Sequence, residues 1–242
     1  MKKALLTAGL ISLAGATQAG TIDFEDFGTT YMTGGGSGVC AGQGNNECTI
    51  VGNEFVGDGI TLSFDDVAPV HDNAIKIVRV GSPTDAFVPN DAPIPAGAFG
   101  DFFMTTEFND NIHFSLSFNS SSNVSFDIAD IDGSGINNTE LFQLTAYLSG
   151  GGTDMVSVDG LGNIIGNSGL TDGIAGDALV TNFMFAGVDR IEVLGTTIGG
   201  TRNIGFGLDN IEFQSVPEPG TLALLAGGLF GLGAARRRSI KA

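Results

Sequence analysis

The sequence has 242 residues, of which 27 are acidic and 10 are basic, giving a formal net charge of −17. A chain this acidic repels a phosphate backbone, which argues against nucleic acid as a partner. Divalent cations, cationic surfaces and plain solubility remain as explanations of the charge.

Residues 1–19 predict a secretory signal peptide. Two lysines precede an apolar stretch from Ala4 to about Gly15, and the small residues Thr17 and Ala19 occupy the last positions before a cleavage site. The apolar stretch is too short to span a bilayer comfortably, which favours a signal over a membrane helix. We therefore expect export through the inner membrane.

Residues 20–215 predict one domain with a substantial core. The basic residues of this domain are Lys76, Arg79, Arg190 and Arg202, whereas 26 acidic residues fall within it, so its formal charge is −22. The domain is therefore even more acidic than the whole chain.

The two cysteines, Cys40 and Cys48, lie in the glycine-rich stretch "GGGSGVCAGQGNNECTIVG". Export implies an oxidising compartment, so this even count predicts one local disulfide. It would close a short loop and add about 2–3 kcal/mol to stability. The alternative is a metal pair, for which Glu47 is the obvious further ligand nearby.

Apolar and polar residues alternate with a period of two along the domain, which predicts short strands with one buried face. The turn signals "GDG", "DGSG", "SGGG" and "DGLGN" separate them. We predict an all-β, jelly-roll-like β-sandwich with a core of Phe, Ile, Leu and Val, in which the first and last strands pair. The predicted strands are "TIDFEDF", "GITLSFDD", "NIHFSLSF", "NVSFDIADI", "DRIEVLG" and "IGFGLDNIEF".

The C-terminal segment, residues 216–242, combines Pro217-Glu218-Pro219, an uncharged run from Thr221 to Ala235 and the basic cluster Arg236-Arg237-Arg238. As a helix the run would span about 22 Å, short of the ~30 Å hydrocarbon core. It therefore predicts a transient membrane anchor, with the arginines on the cytoplasmic side. The two prolines keep the preceding segment extended, as a protease substrate needs.

This C-terminal pattern resembles the PEP-CTERM sorting signal of Gram-negative bacteria that produce exopolysaccharide. The resemblance implies that an exosortase, a membrane cysteine transpeptidase-like protease, cleaves near Pro217-Glu218-Pro219. Release or transfer to the cell surface would follow. It also implies that an N-terminal signal helix and a C-terminal transmembrane sorting helix flank the sandwich. The segment from Leu208 to Phe213 is similar to the strand that precedes the signal in other cargo proteins of this class.

A first candidate calcium site lies in "DIDGSGINNTEL". Asp130, Asp132 and Ser134 occupy alternate positions, which follows the first half of a calcium-binding loop. The twelfth position is Leu141, and Glu140 comes one residue early, so the second half departs from the pattern. An acidic turn between two strands is the alternative.

A second candidate calcium site joins Glu25 or Asp23 on the first strand to Asp209 near the last strand. The domain faintly resembles jelly-roll carbohydrate-binding modules, and this resemblance implies a structural calcium between such strands. The aromatic platforms expected for sugar binding are scarce, because the chain has no Trp and only Tyr31 and Tyr147 as tyrosines.

No motif predicts catalysis. The two histidines are His71, in a predicted loop, and His113, on the polar face of a predicted strand, and neither G-x-S-x-G nor H-E-x-x-H occurs. We therefore expect a non-enzymatic structural or binding component of the extracellular polysaccharide matrix. Its partners would be an exosortase and either polysaccharide or surface proteins. A calcium-stabilised carbohydrate-binding module and a secreted hydrolase are the alternatives.

Overall fold

A computed structural model of the chain describes residues 19–25, 40–44, 47–50, 54–57, 60–64, 75–80, 97–106, 111–133, 138–166, 180–200 and 204–216. Thirteen strands are defined within these ranges. They are β1 (Ala19–Ile22), β2 (Cys40–Gly44), β3 (Glu47–Ile50), β4 (Glu54–Gly57), β5 (Ile60–Phe64), β6 (Lys76–Arg79), β7 (Phe102–Thr105), β8 (Ile112–Ala129), β9 (Thr139–Leu148), β10 (Thr153–Asp159), β11 (Ile164–Ile165), β12 (Val180–Ile198) and β13 (Gly207–Ser215).

The two longest strands, β8 and β12, pair with each other in antiparallel fashion and belong to both layers of the fold. The N-terminal half of β8 also pairs with β5, and the C-terminal half of β12 pairs with β9. The C-terminal half of β8 pairs with β13 instead. We call the layer β4-β5-β8-β12-β9-β10-β11 the first sheet. The layer β12-β8-β13-β7-β6-β3-β2, in which β1 also pairs with β13, is the second sheet.

Phenylalanine rings fill the space between the two sheets. Phe206, just before β13, is fully buried, and its ring centroid lies 5.4 Å from that of Phe114 on β8 and 6.0 Å from that of Phe142 on β9. The rings of Phe118 and Phe213 are 6.2 Å apart across the same space. These contacts join the two layers, so the prediction of an all-β sandwich is confirmed.

The apolar positions of the alternation predicted for β8 are buried in both halves of the strand. The two separate strands predicted here are wrong, because one strand continues through the polar residues between them. Ser122 in this stretch lies opposite Val188 of β12 and opposite Ser215 of β13. In the same way, "DRIEVLG" is one part of the longer β12. The buried residues of β8 include Ile112, Phe114, Leu116, Phe118, Val124, Phe126 and Ile128.

The first and last strands pair as predicted. Ala19 of β1 lies opposite Gln214 of β13, and the pairing is antiparallel. The strand β1 is shorter than "TIDFEDF", because Phe24 has a positive φ of 57° that ends the extended conformation. The register shift predicted in the last strand is also present, with Asn210 at a φ of 52°.

Several predictions concern residues outside the described ranges. These are the signal helix, the transmembrane sorting helix, His71 and Ser134, and the domain boundaries at 1–19, 20–215 and 216–242 stay predictions with them. The part of the chain that the structure describes contains no helix that is long and apolar enough to cross a bilayer. Cys40 and Cys48 lie on the paired strands β2 and β3, and the disulfide between them stays a prediction.

Candidate functional sites: a carboxylate cluster and a polar groove

Three acidic side chains from the two ends of the domain come together where β1 lies beside β13. Asp23 and Glu25 follow β1, and Asp209 lies within β13, where it is fully buried. We call these three residues the terminal carboxylate cluster. The structure therefore brings together the residues predicted as the second calcium candidate.

The segment 100–102 holds two of these carboxylates through its backbone. The N–H of Gly100 donates a hydrogen bond to Oδ2 of Asp209 at 3.3 Å. The N–H groups of Asp101 and Phe102 donate to Oε1 of Glu25 at 2.5 and 3.0 Å. A Cβ atom on residue 100 would overlap the Glu25 carboxylate, so Glu25 reaches this segment because the residue is glycine.

Asp209 carries the features of an incomplete ligand site. Its Oδ1 atom is buried and has no hydrogen-bond partner in the described structure, which is unfavourable for a carboxylate oxygen. The pKa of Asp209 is raised to about 7, mainly by burial and also by the charges of Asp23 and Glu25, against the effect of the Asn210 and Gly100 N–H groups. A bound cation would supply a partner and favour the charged form.

The terminal carboxylate cluster fits calcium only in part. Among the described residues, no three His, Cys, Asp or Glu side chains converge closely enough to hold a metal ion by themselves. Calcium takes six to eight oxygen ligands, and backbone carbonyls and water serve as well as carboxylates. Glu25 and Asp209 are therefore suited to be two ligands of a larger set.

The loop after β8, the first calcium candidate, is closed by a residue that the sequence pattern discounted. Asp130 is 2% exposed, Asp132 is half-buried, and Ser134 lies outside the described residues. Glu140 is also 2% exposed, and its Oε2 accepts a hydrogen bond from the N–H of Asp132 at 3.2 Å. The N–H of Glu140 donates to the carbonyl of Asp132 at 2.9 Å. The spacing of a helical calcium-binding loop therefore does not predict the position of Glu140 in this connection between two strands.

Backbone conformation is unusual at both calcium candidates. The non-glycine residues with positive φ in the described part of the chain are Phe24, Asp130 and Asn210. The first separates Asp23 from Glu25, and the last follows Asp209. Such conformations cost about 1–3 kcal/mol and persist where the surrounding structure imposes them, often at functional sites.

A groove with a volume of about 660 Å³ crosses the outer face of the second sheet. Four neighbouring strands, β1, β13, β8 and β12, supply its floor, and we call it the outer groove. Patterns within single strands do not predict this groove, because its four strands become neighbours only in the folded sheet and each contributes ordinary polar positions of the alternation. The outward-facing residues in its lining are Ala19, Thr21, Asn123, Ser125, Met184, Glu212 and Gln214.

The outer groove offers hydroxyl, amide and carboxylate groups, with one partly apolar wall. Met184 supplies this wall and is 52% exposed. Asn123 is fixed by a hydrogen bond from the N–H of Gly187 to its Oδ1, at 3.1 Å. The same face continues into a second polar row, in which Asp127 accepts hydrogen bonds from Asn182 and Asn210 at 2.5 and 2.8 Å. The surface is therefore suited to a ligand with many hydroxyl groups.

The outer face of the first sheet offers less to such a ligand. Tyr147 donates a hydrogen bond from its hydroxyl to Glu192 at 2.6 Å, which is the main cause that raises its pKa. The guanidinium of Arg190 lies 4.3 Å from the centre of the Tyr147 ring and 2.9 Å from Glu192. One face of this tyrosine is thus covered by a cation. His113 is half-buried on the polar side of β8 in this sheet.

The fold and these sites define a class of protein, an all-β sandwich with a polar surface groove. A family model described as the PEP-CTERM protein-sorting motif matches residues 215–238. The chain therefore carries a PEP-CTERM sorting motif, as predicted, and the motif marks a secreted protein with a C-terminal sorting signal. No curated protein matches the sequence.

Three solved structures are distantly similar to this chain. TmCBM61, solved in complex with β-1,4-galactotriose, is 14% identical; the match covers 64% of this chain and 86% of that chain, with a TM-score of 0.32. TmCBM27, a carbohydrate-binding module that recognises mannan, is 12% identical, with coverages of 71% and 89% and a TM-score of 0.25. The enzymatically active domain of tailspike protein 4 from bacteriophage CBA120 is 12% identical over 64% of this chain and 19% of that chain, with a TM-score of 0.32. At such scores these likenesses do not extend to function.

Proposed function

We propose that this chain is an exported, exosortase-processed protein of the cell surface or extracellular matrix, and that its jelly-roll-like sandwich binds polysaccharide without catalysing a reaction. The sorting motif at residues 215–238 supports the first half of this proposal. The outer groove is the observation that carries the second half.

The chemistry of the outer groove supports a glycan. Sugar hydroxyls both donate and accept hydrogen bonds, and so do the side chains of Thr21, Ser125 and Gln214. The side chain of Met184 provides an apolar contact for the C–H faces of a sugar ring. The volume of the groove, about 660 Å³, lies within the range of ordinary ligand sites.

Binding of the exported protein to a panel of neutral and amine-bearing polysaccharides, measured by affinity electrophoresis, tests this proposal. We expect the double variant Thr21→Val with Gln214→Ala to bind about five- to 150-fold more weakly, since it loses two hydrogen-bonding groups worth roughly 0.5–1.5 kcal/mol each. The matched control is Gln143→Ala, on the outer face of the first sheet, which should bind as the unaltered protein does. No binding to any polysaccharide would overturn the glycan assignment.

A second proposal concerns calcium. We propose that calcium stabilises the sandwich at the terminal carboxylate cluster, with Glu25 and Asp209 among its ligands. The observation that favours it is the buried Oδ1 atom of Asp209, which lacks a hydrogen-bond partner among the described residues.

A further inference from the structure

We infer that the outer groove selects sugars that carry a positively charged amine over neutral and acidic sugars. This inference rests on the proposed function, because it adds the charge of the ligand to the glycan assigned above. It follows from one row of side chains in the groove and from the charge around it.

Strand register places Glu212 between two hydroxyl groups. Glu212 of β13 lies opposite Thr21 of β1 on one side and opposite Ser125 of β8 on the other. Ser125 in turn lies opposite Met184 of β12. Neighbouring strands are about 4.8 Å apart, so this row presents one carboxylate flanked by two hydroxyl oxygens.

The donors of an ammonium group match this row of acceptors. A protonated primary amine has three N–H donors and no acceptor. Over Glu212 it would donate to the carboxylate and to the oxygens of Thr21 and Ser125, and the carboxylate would make its hydrogen bond charge-assisted. A neutral hydroxyl in the same place has one donor, and a sugar carboxylate would be repelled.

The charge around the outer groove also favours a cationic ligand. None of the residues that line the groove in the described structure is Lys, Arg or His. Lys76 and Arg79 lie on β6, and Arg190 lies on the first sheet beside Glu192. The domain also carries a formal charge of −22. Such a field attracts cationic ligands and raises their rate of association.

A glucosamine hexamer and its fully N-acetylated counterpart test this inference, because acetylation removes the charge and keeps the sugar backbone. Dissociation constants of the exported full-length protein are measured for both probes at 20 and at 200 mM salt. We expect the amine form to bind about two- to five-fold more tightly, which is the effect of one exposed ion pair between an amine and Glu212. This preference should shrink at the higher salt concentration.

The variant Glu212→Gln should remove the preference for the amine form, and Ser125→Ala should reduce it. The matched control, Glu192→Gln, makes the same change of charge on the other sheet and should keep the preference. The Glu212 side chain is exposed, and a thermal melt of each variant verifies that the domain is folded.

The possible outcomes separate this inference from the proposed function. Equal binding of the two hexamers, weakened by Thr21→Val with Gln214→Ala, overturns the amine preference and leaves the glycan groove in place. A preference that survives Glu212→Gln would come from the general acidity of the surface, which also overturns the inference. If neither hexamer nor any polysaccharide of the panel binds, the proposed function itself fails.

Discussion

The carboxylates of Glu25 and Asp209 are bound by consecutive backbone N–H groups of one segment, residues 100–102. This arrangement ties the beginning, the middle and the end of the domain together at one point. Two like charges held this near to each other are unfavourable unless a proton or a cation neutralises one of them. The response of the domain to pH and to calcium shows whether a proton or a cation neutralises one of these carboxylates.

Without divalent cations, stability should fall as the pH rises from about 4 to 8. The pKa of Asp209 is raised in the folded state to about 7, from a usual value of 3.8, so between these values the folded state binds more protons than the unfolded state. The contribution of Asp209 is therefore complete below pH 3.8 and is lost as the pH rises to about 7, by at most about 1.4 kcal/mol per pH unit. Urea unfolding in EDTA across this range measures the slope.

The variant Asp209→Asn should have a smaller slope and, at pH 8 in EDTA, a higher free energy of unfolding than the unaltered protein, because it removes a buried charge. The exposed residue Asp189 provides the control, and Asp189→Asn should keep the original slope. Identical slopes for all three proteins would show that Asp209 ionises normally.

Millimolar calcium should raise the thermal unfolding midpoint at pH 8 by several degrees. A ligand at 100 times its dissociation constant adds about 2.7 kcal/mol to the stability of the folded state. The increase should be smaller at pH 5, where protons compete for the carboxylate of Asp209. Glu25→Gln and Asp209→Asn should abolish it.

Asp130→Asn separates the two calcium candidates. It should leave the calcium response intact if the ion binds at the terminal carboxylate cluster. A response that disappears in Asp130→Asn and persists in Asp209→Asn would place the ion in the loop after β8 instead. No response to calcium in the unaltered protein would remove both candidates.

Gly160→Ala should destabilise the domain by about 1–3 kcal/mol. A Cβ atom at residue 160 would overlap the backbone carbonyl of Asp132, and backbone cannot move aside as a side-chain tip can. Gly150→Ala is the control, because its Cβ would meet no atom within 4 Å, and its stability should stay within about 0.5 kcal/mol of the original. Urea unfolding of the two variants side by side makes the comparison, and equal stabilities would contradict the close approach at Gly160.

Phe206→Ala should cost about 3–5 kcal/mol, because it leaves a cavity between the rings of Phe114 and Phe142. Ile165→Ala, at a residue that is 72% exposed, should change stability by less than about 0.5 kcal/mol. Chemical unfolding measures both. A loss below 1 kcal/mol for Phe206→Ala would mean that the two sheets are not held together by this ring.

The sequence predicted the features that depend on local pattern. The alternating positions of β8, such as Phe114 and Phe126, are buried because period-two patterning places them on one face. The polar stretch between them, from Asn119 to Asn123, reads locally as a turn. Ser122 pairs with β12 and β13, and Asn123 pairs with β13, so this end of the stretch stays extended, which is a tertiary effect that local propensity does not contain.

Some residues of the candidate sites could likewise be predicted from the sequence, and others could not. Glu25 and Asp209 could be joined in advance because the first and last strands of a sandwich were expected to pair. The role of Gly100 could not be predicted, because it depends on contact with Glu25, which is far away in the sequence. Glu140 was discounted on spacing, although its carboxylate closes the loop at Asp132. The outer groove depends on strand order alone, which single-strand patterns do not specify.

Because Ala19 pairs with Gln214, folding of the domain cannot finish before its last strand is available. Within the described structure β1 has β13 as its partner, so the first strand of the domain can pair only after the last strand has been made. Ile22 and Phe24, both buried in the finished domain, stay in water until then. Contacts between such distant residues form slowly. A chain truncated before Gly207 would therefore keep an open sheet edge, a target for proteases and for aggregation, whereas pairing of the last strand closes that edge.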